Sequence, residues 1–176
     1  MKWLTKEEVF KEVFSYVKII VGTVIVVNII LSKIVTQAQV PTASMENTIM
    51  QGSRVVLNRT AYWFEEPERG DIAAVYIADD PDTVYLKRII GLPGEEIEGR
   101  DGKIYIDGIV LSETYIKEEC YIDFGPYTVP EDSYFMMGDN RNNSWDARYW
   151  RVKFVEKSDI IGNVKIELYP ELKILE

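Results

Sequence analysis

Val84-Tyr85-Leu86-Lys87-Arg88-Ile89-Ile90-Gly91-Leu92-Pro93-Gly94 is an apolar run that carries two adjacent cations and stops at a Gly-Leu-Pro-Gly turn. Aromatic and β-branched residues ahead of turn formers read as a strand. Strand alternation puts Lys87 on one face with Tyr85 and Ile89 and turns Arg88 to the other, so the two cations do not share an environment. Comparable short runs lie on both sides, at Arg54–Asn58, Ile72–Ile77, Lys103–Ile106, 134–137 and 160–168, with Asp101-Gly102 and Asp107-Gly108 as hairpin turns. The pattern predicts a mainly β fold: an antiparallel sheet domain over residues 37–176, one folded unit whose sheets fall into two sub-lobes.

Residues 1–36 have a different texture. Thr5-Lys6-Glu7-Glu8 forms a capping-box pattern, and Val9, Phe10, Val13, Phe14 and Val17 follow at helical spacing. The helix then enters the uninterrupted apolar run 19–31, bounded by Lys18 and Lys33, whose stems can snorkel to the two interfaces. Counted from Val17 to Val35, such a helix is about 28 Å long, near the hydrocarbon thickness of a bilayer. Lys2, Lys6, Lys11 and Lys18 precede the run and only Lys33 closely follows it, so the positive-inside rule places the N-terminus in the cytoplasm and the β domain outside. Two other readings compete: a secretory signal cut after Ala38, for which Thr36 is a poor match three residues before the cut, and a buried helix of a soluble domain.

Composition removes several chemistries. The 176 residues contain no histidine and one cysteine, so Ser-His-Asp and Cys-His catalysis, multi-thiolate zinc and an internal disulfide are all excluded, and no cofactor or metal is expected. Five lysines and three acidic residues give residues 1–36 a charge of +2, which leaves −11 on the domain out of a net −9. An acidic domain with no basic, aromatic-interleaved run repels phosphate backbones, so nucleic acid is not an expected partner.

Without histidine, a serine nucleophile needs another base. A lysine desolvated inside an apolar strand meets the need, because burial disfavours the ammonium. Lys87 is so placed, although a lysine in a strand also serves simply as an edge charge against aggregation.

The ordered blocks around it resemble the type I signal peptidases. Pro41-Thr-Ala-Ser44-Met45 with Thr48 is similar to that family's nucleophile box, directly after an apolar helix. Gln51–Arg59 resembles its next strand, Arg69-Gly-Asp71 with 85–94 its base-bearing box, and 138–150 its last box. The resemblance implies Ser44 as nucleophile and Lys87 as general base, with the Ser44 backbone N–H and the Thr42 hydroxyl as oxyanion donors. It implies that Ser144 orients the lysine and that Asp146 and Arg148 brace the loop. It also implies shallow pockets for small residues at the first and third positions before the cut, assigned by position to Val40, Met45, Tyr85 and Leu86. Signal-peptide-bearing preproteins and the lipid bilayer are the implied partners, with the catalytic domain on the outer side of the plasma membrane. Asn47, Ser53 and Arg151 depart from the family pattern at turn positions, and Ala43 replaces a glycine found in some members. Trp63 and Phe64 form an apolar patch that reads either as core or as a surface dipping into the outer leaflet.

Two rivals stand beside this reading. Cytosolic repressor-type autoproteases share the Ser/Lys logic but lack a membrane span and carry a DNA-binding segment. A tethered β module that binds partners through its acidic face needs no chemistry at all.

Overall fold

A computed structural model describes residues 5–175. Helix α1 (Lys6–Lys33) begins at Thr5 with the predicted capping box: the Thr5 side chain accepts from the Glu8 N–H, and the Glu8 carboxylate accepts from the Thr5 N–H at 2.7 Å. Lys2 lies outside the described residues. The 28-residue helix is long and apolar enough to cross a membrane, and it buries none of its residues, which removes the buried-helix reading. Asn28, a polar residue in the apolar run, donates one of its two side-chain amide N–H groups back to the Val24 carbonyl at 2.8 Å. The helix stops at Lys33, two residues short of the expected Val35. Ile34 caps it, and Val35 already belongs to a strand because its N-terminal neighbour's carbonyl is taken by the Arg59 N–H at 2.9 Å. No linker separates anchor and domain, and the β region starts two residues earlier than expected.

Twelve strands follow: β1 (Val35–Gln39), β2 (Arg54–Asn58), β3 (Ile72–Ile77), β4 (Asp80–Gly91), β5 (Glu96–Arg100), β6 (Lys103–Ile106), β7 (Ile109–Val110), β8 (Phe124–Thr128), β9 (Ser133–Met137), β10 (Val155–Glu156), β11 (Ile160–Tyr169) and β12 (Lys173–Ile174). All pairings are antiparallel. Eight strands form one sheet in the order β1-β2-β11-β3-β4-β9-β10 with β12 on β11, and four form a second in the order β7-β6-β5-β8. Two core clusters result. One joins the sheets through Ile89, Ile90, Ile97, Ile104, Phe135 and Trp150; the other lies under the loop after β1, with Met45, Ile49, Val55, Leu57 and Val164.

Local chemistry explains the hairpins of the small sheet. Asp101-Gly102 and Asp107-Gly108 all have positive φ (50°, 78°, 50° and 76°), the backbone that a two-residue turn between right-twisted strands requires. Strand β4 starts four residues before the expected Val84. Asp80-Pro81-Asp82 looks like a turn, but β9 pairs only with the Arg88–Gly91 end of β4, so Pro81 sits on an open edge where no N–H is missed. Strand β5 escaped the sequence pattern because Ile97 is its only large apolar residue; Gly99 lies beneath the Phe124 ring instead.

Burial separates residues of the small sheet that look alike in sequence. Ile97 is fully buried and Ile109 is 74% exposed. Ile97→Ala is expected to destabilise the detergent-solubilised chain by about 2–5 kcal/mol in a denaturant titration, and Ile109→Ala by less than about 0.5 kcal/mol. Equal effects would contradict this account of the core.

Candidate active site

The loop between β1 and β2 is closed by short-range backbone bonds. The Val40 N–H donates to the Ser53 carbonyl at 2.9 Å, the Gly52 N–H donates to the Val40 carbonyl at 2.8 Å, and the Thr48 and Ile49 N–H groups both return to the Met45 carbonyl. This winding turns Met45 inward and leaves Ser44 facing β4. The Ser44 Oγ lies 2.8 Å from the Lys87 Nζ, across 43 residues of sequence. Both side chains are almost out of water, Ser44 at 7% and Lys87 at 2% exposure.

Burial drives the Lys87 ammonium down from its ordinary 10.5 to about 8; the Asp146 carboxylate opposes this, Arg148 adds to it, and Asp139 opposes it. At pH 7 roughly a tenth of such an amine is neutral and able to accept a proton. The Tyr85 ring lies 5.9 Å from the Nζ on the same strand face, as alternation predicts.

Arg88, on the opposite face, is held by a carboxylate. Its Nε and Nη2 donate to the two Asp139 oxygens at 2.9 and 2.7 Å, its Nη1 donates to the Gly70 carbonyl at 2.6 Å, and its guanidinium stacks 4.0 Å from the Tyr115 ring. Asp139 also accepts from the Thr48 hydroxyl at 2.5 Å. One buried carboxylate thus joins β4, which bears Lys87, to the loop that bears Ser44.

The polar loop 138–150 completes the tie. Asn140 donates from its backbone N–H to the Ser44 carbonyl at 3.1 Å and from its side chain to the Ala43 carbonyl at 3.0 Å. Asp146 and Arg148 form a fully buried two-pronged pair at 2.7 and 2.8 Å, and Asp146 further accepts the Gly138 N–H at 3.0 Å. Arg148 reaches on to the Arg141 carbonyl at 2.6 Å and the Cys120 sulfur at 3.1 Å, while Arg141 pairs with Glu113. The loop runs close to Ser44. A Cβ on Gly138 would lie 2.3 Å from the Ser144 Oγ and 2.4 Å from the Ser44 carbonyl oxygen, so only glycine fits.

Of the remaining expected residues, Thr42 places its Oγ1 3.3 Å from the Ser44 Oγ. Ser144 is buried beside Gly138, with its hydroxyl free of any hydrogen-bond partner among the described residues. Val40, Tyr85 and Leu86 line a cleft of about 450 Å³ that opens on Ser44 and Lys87. Met45 does not line it: the turn that presents Ser44 buries Met45 completely in the second core, so its assignment to a substrate pocket is corrected. Trp63 and Phe64 are 65% and 93% exposed, which corrects the core alternative for that patch. After Trp150 the Asp79 carboxylate accepts the Arg151 and Val152 N–H groups at 2.7 and 3.2 Å, whereas the buried Ser53 hydroxyl has no hydrogen-bond partner among the described residues.

Sequence reasoning missed Asn140, the Arg88–Asp139 link and Trp145, which lines the cleft. Cation and carboxylate in the same two boxes were the available signal for the ion pair. Trp145 lies in a polar run where nothing marks one aromatic as exposed.

Comparison with known proteins gives the family and the fold. The family described as signal peptidase, peptidase S26, matches residues 13–169. Signal peptidase I S of Bacillus subtilis is 36% identical over 171 residues, covering 91% of each chain. A probable signal peptidase I-2 of Synechocystis is 36% identical over 136 residues; the match covers 74% of this chain and 62% of that protein. The crystal structure of a signal peptidase I from Enterococcus faecalis V583 is 37% identical and superposes with a TM-score of 0.50, over 56% of this chain and 97% of that one.

The tight approach at Gly138 gives a test. Gly138→Ala must displace either the Ser44 carbonyl or the Ser144 side chain, and a displacement near 1 Å costs about 100-fold in kcat. A steady-state assay on a peptide substrate, beside a far-UV spectrum showing an intact fold, checks this; near-wild-type kcat would contradict it.

Proposed function

The chain belongs to the type I signal peptidases, peptidase family S26, serine peptidases that remove signal peptides and are membrane-bound; from that premise we propose that Ser44 and Lys87 are its catalytic pair. The observation that carries the proposal is the 2.8 Å approach of Lys87 Nζ to Ser44 Oγ inside a nearly dry site. In the neutral form the amine takes the hydroxyl proton as Ser44 attacks the scissile carbonyl. The tetrahedral oxyanion is met by the Ser44 backbone N–H and the Thr42 hydroxyl. Lys87 then passes its proton to the leaving amine, and the new N-terminus departs. Water, deprotonated by the same amine, hydrolyses the acyl-enzyme and regenerates Ser44. Ser144 makes no hydrogen bond to Lys87 in the structure; its buried hydroxyl is left unpartnered among the described residues and so available to receive a lysine N–H, and Asp146 with Arg148 fixes the loop that bears it.

Residues 37–176 form the peptidase domain in this proposal, with residues 1–36 as cytoplasmic segment and anchor. The domain sits on the outer surface of the plasma membrane. Trp63 shares a groove with Ser32 and Lys33 at the C-terminal end of α1, which supports a reading in which the exposed Trp63–Phe64 patch lies near the level where the span leaves the bilayer. Cleavage at that level suits a substrate whose own apolar segment is in the membrane.

Two outcomes follow. The rate of precursor cleavage should rise with pH through a midpoint near 8, since raising pH deprotonates the base; Ser44→Ala should remove turnover, and Lys87→Arg should be as inactive as Lys87→Ala because guanidinium keeps its proton. A pH–rate profile of the three variants beside wild type measures this, and activity in Lys87→Arg would remove the lysine from its role. Protease added outside intact cells should cut only beyond Lys33 and spare residues 1–18, whereas digestion of that N-terminal segment would reverse the topology.

A further inference from the structure

Trp145 has no part in the chemistry above, yet it stands at the cleft between two buried residues of the catalytic loop, Ser144 and Asp146. Its side chain is 44% exposed. It is not loose: its ring centroid lies 5.7 Å from that of Tyr85 and 6.2 Å from that of Trp150, and the last two are 6.3 Å apart. Three rings in mutual contact hold one half-wet indole as a rigid apolar wall.

The sheet determines what meets that wall. Strand β4 pairs with β3 over most of its length but with β9 only from Arg88 to Gly91, so the 83–87 segment keeps one edge open along the cleft. A peptide added to that edge alternates its side chains between two faces. The Leu86 side carries a floor of Val40, Leu57, Ala74 and Val164. The other side carries Tyr85 with Trp145 over it. With the scissile carbonyl at Ser44 Oγ, the small residues at the first and third positions before the cut face the Leu86 floor. The second residue then points the opposite way, toward the indole.

We propose that Trp145 is a specificity-determining residue: its indole receives the side chain of the second residue before the cut and favours large apolar or aromatic groups there. This deepens the Ser44/Lys87 reading and rests on it. An apolar or aromatic partner covers indole surface that otherwise stays in water, while glycine leaves it exposed, so discrimination comes from that one contact.

The test uses the detergent-solubilised full chain and three peptides identical except for glycine, leucine or phenylalanine at the second position before the cut. In Trp145→Ala the ratio of kcat/KM for the phenylalanine peptide over the glycine peptide should fall by about twofold to tenfold. Trp145→Phe should recover most of the ratio, and the pH midpoint of cleavage should not move. A ratio unchanged in Trp145→Ala, or an equal loss on all three peptides, overturns the role of Trp145. If wild type cleaves none of the peptides, or cleavage survives Ser44→Ala, the Ser44/Lys87 reading falls and this inference falls with it.

Discussion

A buried lysine that gives up its proton more readily than it would in water is the constraint on which the rest of this structure depends. An amine can deprotonate a serine only while neutral, and water would hold it protonated across the working pH range. The fold therefore removes water from it. Lys87 lies in a strand between β3 and the loop 138–150, and the Ser44 hydroxyl fills the hydrogen-bonding position at 2.8 Å. Desolvation leads, and the two buried carboxylates, Asp146 and Asp139, pull the other way. Each of these carboxylates is matched by its own arginine, which limits how strongly either can recharge the lysine.

Those matched pairs also explain why so many charges are buried around one small site. A buried ion pair returns little net stability, because desolvating both partners offsets their attraction. What it provides here is position. Asp139 holds Arg88 of β4 and Thr48 of the Ser44 loop together, and Asp146 holds Arg148 and the Gly138 N–H. Removing one partner would strand a charge in a dry interior, so the arrangement is rigid in a way that apolar packing alone does not enforce.

Sequence alone disclosed the parts in which local chemistry sets the outcome. The Thr5 capping box, the Asp-Gly hairpins and the strands with alternating β-branched residues were all readable, as was the facing of Lys87 away from Arg88. Absence of histidine left lysine as the fitting base before any geometry was known. Features decided by distant contacts were not readable. Strand β5 exists because Phe124 covers Gly99, β4 extends through Pro81 because its neighbour stops short, and Met45 is buried because the turn after Ser44 winds inward. Asn140 looked like one more turn residue until its two bonds reached the Ala43 and Ser44 carbonyls.

Covalent capture tests the pairing of Ser44 with Lys87 most directly, because it reports on nucleophile and base without turnover of a precursor. The solubilised chain, exposed to a serine-directed acylating probe and read by intact mass and peptide mapping, should gain one acyl group on Ser44, and Lys87→Ala should gain none. An adduct on another residue, or one on Ser44 that persists in Lys87→Ala, would contradict a mechanism in which this lysine activates this serine.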